Sequence, residues 1–382
     1  MIYFDNNATT RIAPEVLDAM MPYLHAEFGN PSSGHAAGRT AKAAVEDARN
    51  SVAQLVGAES TDEIVFTGTG TEADNWAILG TVGEDPGSAH IVTTTVEHGA
   101  VAGVFDMLER NGCRVTRIPV DSSGALALDQ LKGSLGADTK LVSVMLANNE
   151  TGVLFPIEQI GQIVKEHSKA VFHVDGINAV GKVPIDLRST TVDLFSMAAH
   201  KFYGPKGVGA LYKRRGVALS PVTRGGGQEF GLRSGTEAVH QIVGMGAAAR
   251  LVSDMSSIPT IRRLRDQFES AILSKISRTR LIGSQDPDRR LPNTSSISFG
   301  GVNGELLMAR LDAAGICVST GSACHTQDAG ASGVLKAMNV PIELAKGVIR
   351  FSLGRFNTDS EVESVLDILP EIVDDLRTLS GE

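Results

Sequence analysis

Short runs of apolar and β-branched residues alternate with helical segments between about residues 60 and 215. In chain order these runs are EIVFTG, HIVTTTVEH, RVTRIPV, KLVSVMLANN, AVFHVDG, DLFSMAAHK and GVGALYK. They are nearly continuous in apolar residues, as strands that are covered by helices on both faces require. The pattern predicts an α/β domain with a mainly parallel sheet flanked by helices.

Two further patterns predict how the rest of the chain is organised. Apolar residues recur at helical spacing over residues 41–55, which predicts an amphipathic helix. A charged helical stretch near residues 259–277 precedes a part that mixes strands with helices. Since 382 residues exceed what one core usually organises, we expect a large domain over 14–258 and a smaller α+β domain made of 1–13 and 259–382. The first dozen residues could join either body.

The net charge and the cysteine content limit which partners and which cellular compartment the sequence predicts. A net charge of −9 argues against a nucleic-acid or membrane-surface role, because both need a concentrated basic face. The sequence MIYFDNNATT lacks the features of a secretion signal, and no segment is long enough to cross a bilayer, so we expect a cytoplasmic protein. Cys113, Cys317 and Cys324 are too few for a disulfide framework and have no metal-ligand spacing, so we expect reduced thiols and no metal.

Polar residues follow nearly every predicted strand, which is where ligands bind in open α/β sheets. The first run leads into TGTGT at 67–71 and then a helix, whose free N–H groups suit a phosphate. An ordinary turn capped by threonine explains this segment about as well. His98 ends the second run and could stack on a flat cofactor and move protons, although a lone histidine is more often structural.

Two other strand ends carry charged side chains. Asp175 follows AVFHV, where a buried carboxylate needs a cationic partner such as a protonated pyridine nitrogen; a structural Asp that caps a loop is the alternative. Lys201 ends DLFSMAAHK, and a lysine at this position suggests a Schiff base with an aldehyde. Its rival Lys206 lies in the following turn, where a solvated side chain is expected. Together, the polar residues at the strand ends match the groups that a pyridoxal phosphate (PLP) cofactor needs.

The cysteines differ in their surroundings. Cys324 lies in STGSACHTQDAGASG, a segment rich in glycine, serine and alanine that indicates a mobile loop carrying a nucleophile. Cys317 lies in a strand-like run and is better explained as a small buried residue. Cys113 follows a helix-ending Asn-Gly and has no chemical neighbours in sequence.

Eleven ordered segments resemble those of a known family. They are YFDNNATT, FGNPSS, GTEADN, EHGAV, NNETG, HVDGINAVGKVPIDL, AHKFYGPKGVGALY, RSGTEA, LPNT, STGSAC and IRFSLGRF. Their order and approximate spacing are similar to those of the cysteine desulfurases of the NifS/IscS type, class V aminotransferase relatives with PLP fold type I. The resemblance covers essentially the whole chain. It implies a PLP-dependent conversion of L-cysteine to L-alanine, with the sulfur passing to Cys324 as a persulfide.

The resemblance also implies the cofactor contacts. The implied set is Gly70, Thr71, His98, Asn149, Asp175, Asn178, His200, Lys201 and Thr236. Gly70, Thr71 and His200 are expected at the phosphate, and Asn149 is expected to orient the ring. Thr236 would reach the phosphate of a neighbouring subunit, so an obligate homodimer is expected.

The resemblance implies the substrate contacts as well. Arg355, in FSLGRF, would bind the substrate carboxylate with its planar guanidinium, helped by Asn30. Lys201 would act as the base for the α-proton, and His98 as a further acid or base. Cys324 would accept the sulfur and pass it to an acceptor or iron–sulfur scaffold protein.

Two positions depart from the family pattern. Asn178 stands where a glutamine usually contacts the phenolic oxygen of PLP, and Ala198 where a serine usually donates to the phosphate. Losing one hydrogen bond to a charged group costs about 1.5 to 3 kcal/mol unless it is replaced. The alternatives are a selenocysteine lyase, a transaminase, or a degenerate scaffold that only binds iron–sulfur assembly proteins. The presence of Lys201 and Cys324 favours sulfur transfer.

Overall fold

The computed structural model describes residues 1–84, 87, 89–320 and 332–379. Its larger sheet has seven strands in the order β2-β8-β7-β6-β5-β3-β4. The strands are β2 (Ile64–Thr67), β3 (His90–Thr94), β4 (Arg114–Ile118), β5 (Thr139–Met145), β6 (Val171–Asp175), β7 (Leu194–Ala198) and β8 (Gly209–Lys213). Each coincides with one of the seven apolar runs of the sequence, which confirms the predicted α/β fold.

Six of these strands point the same way. The pairs from β3 to β7 are parallel, and β8 is antiparallel to both β7 and β2. The carboxyl ends of β2 to β7 therefore meet at one edge of the sheet. This is where a ligand binds in such sheets.

Helices cover both faces of the larger sheet. Those up to residue 252 are α1 (Pro14–Met20), α2 (Pro22–His25), α3 (Ala36–Val56), α4 (Gly70–Val82), α5 (Gly99–Arg110), α6 (Leu128–Ser134), α7 (Ile157–His167) and α8 (Val239–Val252). The predicted amphipathic helix is α3, which buries Ala41, Val45 and Val52 and ends at Gly57 with φ +63°. Glycine adopts this left-handed conformation without a steric penalty, so it terminates the helix.

A smaller four-stranded sheet lies toward the C-terminus in the order β12-β13-β10-β9. Its strands are β9 (Thr279–Leu281), β10 (Thr294–Phe299), β12 (Ser319–Thr320) and β13 (Val348–Ser352), while β1 (Ile2–Tyr3) and β11 (Ile316–Cys317) form a separate parallel pair. The accompanying helices are α9 (Ile258–Lys275), α10 (Gly304–Ala313), α11 (Gly333–Ala337), α12 (Ile342–Ala345) and α13 (Asp359–Leu379). Among the described helices, the long ones are too polar to span a bilayer.

Each sheet has its own apolar core, but the cores do not follow the predicted division of the chain. Phe4 packs with α9, α13 and β10 in the core of the smaller sheet, whereas Ala13 belongs to the core of the larger one. Val334 and Leu335 of α11 also pack into the larger core. The division at about residue 258 stays a prediction, because the chain crosses between the two bodies more than once.

A buried ion pair fastens the segment before α8 to the larger sheet. Arg49 of α3 donates two parallel hydrogen bonds to the Glu229 carboxylate at 2.7 and 2.8 Å. Glu229 also accepts from the Phe66 backbone N–H at 2.7 Å, and Arg49 donates to the Ile64 carbonyl oxygen at 2.8 Å. Both charged side chains are only 3% exposed, so neither charge has solvent to replace a lost partner.

We predict that Glu229→Gln lowers the free energy of unfolding by about 3 kcal/mol, because the buried partner of Arg49 becomes neutral and only the half-exposed Glu46 carboxylate, at 3.3 Å, remains beside its charge. The matched control is Glu84→Gln, since Glu84 pairs with Arg224 in solvent and is 88% exposed. It should change the free energy by less than about 1 kcal/mol. Urea denaturation at one protein concentration measures both. Equal small losses would show that the buried pair does not hold this segment.

Candidate functional site

A cavity of about 630 Å³ opens at the carboxyl edge of the larger sheet. Its wall also includes residues 7–9 of the N-terminal segment and side chains from β12 and β13. Eight of the predicted site residues line it: Gly70, Thr71, His98, Asn149, Asp175, Asn178, His200 and Lys201. The cavity is therefore assembled from both sheets and the start of the chain.

The turn between β2 and α4 forms one end of the cavity. Thr69 caps α4 by accepting from the Glu72 N–H at 3.0 Å, and Glu72 in turn accepts from the Gly68 N–H at 2.7 Å. Gly70 and Thr71 then occupy the first helical turn, where backbone N–H groups have no acceptor within the helix. A Cβ at Gly70 would lie 2.5 Å from Ile177 Cδ1 and 3.0 Å from the Ala198 Cβ, so a larger residue would require the Ile177 side chain to move. The turn is suited to an anionic group.

Asp175 lies at the carboxyl end of β6 and is 6% exposed. One of its oxygens accepts from the Ile177 N–H at 2.9 Å. Burial raises the pKa of this carboxyl, while the neighbouring His98 and Lys201 act in the opposite direction. A ligand that places a cation here would stabilise the carboxylate.

Two further buried carboxyls lie near Asp175, and sequence reasoning missed both. Burial raises the pKa of Glu97 to about 8, although Thr94 donates to it at 2.6 Å. Burial and the charge of Asp175 raise the pKa of Asp74, whose two oxygens have no hydrogen-bond partner among the described residues. Burial favours the neutral form of all three carboxyls, and Asp175 is the one for which the neighbouring His98 and Lys201 oppose that effect.

His98 caps α5 and faces the cavity. Its Nδ1 accepts from the Ala100 N–H at 3.1 Å, which leaves the proton of the neutral ring on Nε2. Burial lowers the pKa of this imidazole, Asp175 raises it and Lys201 lowers it. A neutral ring in this position can stack on a flat ligand and exchange a proton.

Lys201 lies in the short 3₁₀ turn that follows β7. Its Nζ donates to the carbonyl oxygens of Asn7 at 2.5 Å and Ala8 at 3.0 Å. Lys206 also lines the cavity, but it lies in the exposed turn before β8. Both lysines reach the cavity, and only Lys201 is held by the N-terminal segment.

His200 is held by the same segment. Its Nδ1 lies 3.2 Å from the Thr9 hydroxyl, and its carbonyl oxygen accepts from the Thr10 N–H at 2.8 Å. Burial, with the charge of Lys201, lowers the pKa of His200 to about 4. The ring is therefore neutral at physiological pH and serves as a hydrogen-bonding group.

The arginine in the wall is Arg350 of β13, whereas the sequence-based prediction placed the carboxylate-binding role on Arg355. Arg350 donates to the Asn149 carbonyl oxygen at 3.0 Å and to Asp5 at 2.6 Å, and its Nε has no partner among the described residues. Arg355 lies outside the cavity lining, with its backbone N–H on the Tyr203 hydroxyl at 2.8 Å. An arginine inside the apolar run VIRFS was the signal that could have identified Arg350.

Glu150 is a further wall residue that sequence reasoning missed. Burial raises its pKa to about 7, although Ser332 and Arg350 lower it, and its Oε2 has no partner among the described residues. The cavity thus holds a carboxyl that titrates near neutral pH beside an arginine.

Three predicted residues lie elsewhere or cannot be placed. Asn30 is exposed, and its Oδ1 accepts from the Ser32 N–H at 2.9 Å. Thr236 is exposed and does not line the cavity. Cys324 falls outside the described residues.

Comparisons with known proteins agree on one family. The family model described as aminotransferase class-V matches residues 2–365. A cysteine desulfurase from Cereibacter sphaeroides is 49% identical over 99% of this chain and 97% of its own length. A solved NifS-like protein shares 38% identity with a TM-score of 0.92, covering 98% of this chain and all of its own. A structure entitled SspA in complex with cysteine shares 32% identity with a TM-score of 0.83, covering 94% of this chain and all of its own.

Proposed function

The chain belongs to the aminotransferase class-V family and, within it, to the cysteine desulfurases, and from that premise we propose that its cavity holds PLP and takes L-cysteine. The observation that carries the proposal is the position of Lys201. Its Nζ reaches the same cavity as the buried carboxylate of Asp175 and the open helix start at Gly70. One of the solved relatives is titled as a complex with cysteine.

The groups that line the cavity fit PLP. The first turn of α4 suits a phosphate, because its backbone N–H groups have no acceptor within the helix. Asp175 would pair with the pyridine nitrogen, Lys201 would hold the aldehyde carbon, and the Asn178 amide N–H would face the phenolic oxygen. Bound in this way, PLP supplies an electron sink for the carbanion that forms at the substrate α-carbon.

The bases near the substrate are part of the same proposal. Lys201 Nζ would take the α-proton once its amine is free, because it already reaches the cavity. His98, neutral at physiological pH, would stack on the ring face and carry its proton on Nε2. Asp175 would carry its negative charge when a protonated pyridine nitrogen pairs with it, because that cation would oppose the burial that raises the pKa of this carboxyl.

We place the substrate carboxylate at Arg350 rather than Arg355. The buried Arg350 guanidinium already uses two nitrogens on Asn149 and Asp5, which fixes its plane, while its Nε still lacks a partner among the described residues. A planar, fixed guanidinium binds a carboxylate with little loss of side-chain entropy. The neighbouring Glu150 is neutral below about pH 7 and would not compete for the arginine there.

We predict that Arg350→Lys raises the KM for L-cysteine by about tenfold or more, because one charge-assisted hydrogen bond is worth about 1.5 to 3 kcal/mol. Arg355→Lys is the matched control and should leave KM within about twofold. Steady-state alanine formation measures both, and circular dichroism checks that each variant is folded. A larger effect at Arg355 would return the role to that residue.

We predict that Lys201→Ala abolishes the visible absorbance of protein-bound PLP, because the Nζ that holds the aldehyde carbon is missing. Lys206→Ala should retain the absorbance, since this lysine lies in the exposed turn. Absorbance spectra of the two purified variants after PLP loading make the comparison. An unchanged spectrum for the Lys201 variant would assign the cofactor to another lysine.

The sulfur acceptor in the proposal is Cys324. Its thiolate would attack the substrate sulfur, so an S–S bond forms while the carbon–sulfur bond breaks. The bonding electrons go to carbon, which is then protonated to give alanine. Cys113 is buried in a core cluster with residues of α5 and β3, and Cys317 belongs to β11, so we expect neither to replace Cys324. A reduced thiol is needed at every turnover, which supports the cytoplasmic location.

We predict that Cys324→Ala lowers alanine formation to near background while L-cysteine still perturbs the PLP spectrum, because binding does not need the thiol. Cys317→Ala should keep its activity. Mass spectrometry after wild-type turnover should find a persulfide on Cys324. Substantial alanine formation by Cys324→Ala without added thiol would instead favour a lyase that makes no covalent sulfur intermediate.

A homodimer and a sulfur-acceptor or iron–sulfur scaffold partner complete the proposal. Thr236 is exposed and outside its own cavity, so a contact with PLP phosphate requires a second copy. Exposed apolar side chains on the same molecule, among them Leu24, Phe28 and Phe230, are available to a partner surface. Two ion pairs hold the segment that carries Thr236. One is the buried pair of Arg49 with Glu229, and the other joins Arg233 to Glu72 at 2.7 Å.

A further inference from the structure

We propose that Lys182 is a positioning residue that orients the Asn178 carboxamide so that its Nδ2 donates into the cavity. The observation is a pair of short contacts. Lys182 Nζ donates to the Asn178 carbonyl oxygen at 2.9 Å and to the Asn178 Oδ1 at 3.1 Å. The inference rests on the proposed function only in identifying the acceptor of that N–H as an oxygen of PLP.

The local backbone explains how the two residues meet. Residues 177–182 form consecutive turns, with hydrogen bonds from Ala179 N–H to Gly176 at 2.9 Å and from Lys182 N–H to Ala179 at 2.9 Å. Residues four apart in such turns lie on one side. A Cβ added at Gly181, which has φ +75°, would lie 3.0 Å from the Phe202 Cβ, so this turn runs close to Phe202. The pair is therefore fixed against the segment that carries Lys201.

The contacts decide which way the amide faces. Lys182 donates to Oδ1, so the NH₂ group of Asn178 must point away from the lysine. Asn178 lines the cavity, is 5% exposed, and its Nδ2 has no partner among the described residues. A buried donor without an acceptor is unfavourable, and an anionic oxygen bound in the cavity would satisfy it.

Lys182 acts through Asn178 because it does not line the cavity itself. It is 7% exposed, and burial, with the charges of Lys201 and Arg350, lowers its pKa well below the usual range. Asn178 offers two acceptors, its carbonyl oxygen and its Oδ1, and the Lys182 Nζ donates to both. The burial of a lysine at this position is therefore explained by its contacts with one residue.

The arrangement bears on the departure from the family pattern. Asn178 is one methylene shorter than the glutamine that is usual there, so it has less reach and fewer rotamers. A fixed orientation compensates for shorter reach by removing the conformations that would turn Oδ1 toward an anionic oxygen. Lys182 would supply that orientation without touching the cofactor.

A double-mutant cycle tests this inference. Lys182→Met keeps the apolar stem and removes both donors, and Asn178→Ala removes the amide. We expect either variant to raise the PLP dissociation constant about tenfold. We expect the double variant to lose no more than Asn178→Ala alone, because a residue that acts through another has no effect in its absence.

The measurements are PLP titration of the apo-protein and the pH midpoint of the visible absorbance of the loaded protein. Donation by Nδ2 favours the anionic form of the phenolic oxygen, so both single variants should move this midpoint in the same direction. Lys165→Met is the control, since Lys165 pairs with Asp193 away from the cavity. It should change neither quantity.

The outcomes separate the two proposals. Additive effects of the two substitutions, or a wild-type dissociation constant and midpoint in Lys182→Met, would overturn the role of Lys182 and leave the proposed function standing. Wild-type protein that takes up no PLP would overturn both. If Lys182→Met does not fold, Lys182→Gln, which is one bond shorter and cannot reach both acceptors, is expected to show the same lack of additivity.

Discussion

Burial of charge at the carboxyl edge of the larger sheet is the constraint on which the site depends. Six strands point the same way, so their ends bring Asp175, Lys201 and their neighbours into one poorly solvated space. There each ionisable group either finds a partner or shifts toward its neutral form. Glu97, Asp74 and Lys182 take the second course. Burial raises the pKa of Asp175 as well, but His98 and Lys201 oppose that shift.

The N-terminal segment connects the charged residues of the two sheets. Its Asp5 pairs with Arg350 of the smaller sheet, and its Asn7 donates to Thr294 at 2.8 Å while accepting from Lys201 of the larger sheet. The same few residues therefore hold the arginine and the lysine in one cavity. Under the proposed function, this fixed separation would position the substrate carboxylate at Arg350 and its α-proton at Lys201.

Much of this arrangement could be predicted from the sequence, because its signals are local. The seven strands are short apolar runs, and His98, Asp175 and Lys201 are polar residues that end such runs. The contacts that the sequence could not give are distant in the chain. Arg350 and Asp5 are 345 residues apart, and no local pattern pairs them. A shared segment such as IRFSLGRF shows which region matters, but only packing shows which of its two arginines reaches the cavity.

The same long-range contacts determine when the site can exist. Residues 2–7 are synthesised before their partners Ile316, Arg350 and Ser352, which lie far along the chain from them. During synthesis these residues stay without their partners until β11 and β13 have emerged from the ribosome. Only then can the N-terminal segment contact both Lys201 and Arg350. Under the proposed function, cofactor binding is accordingly a late event of maturation, and an intermediate that stalls before β13 would hold all seven strands of the larger sheet without the complete cavity.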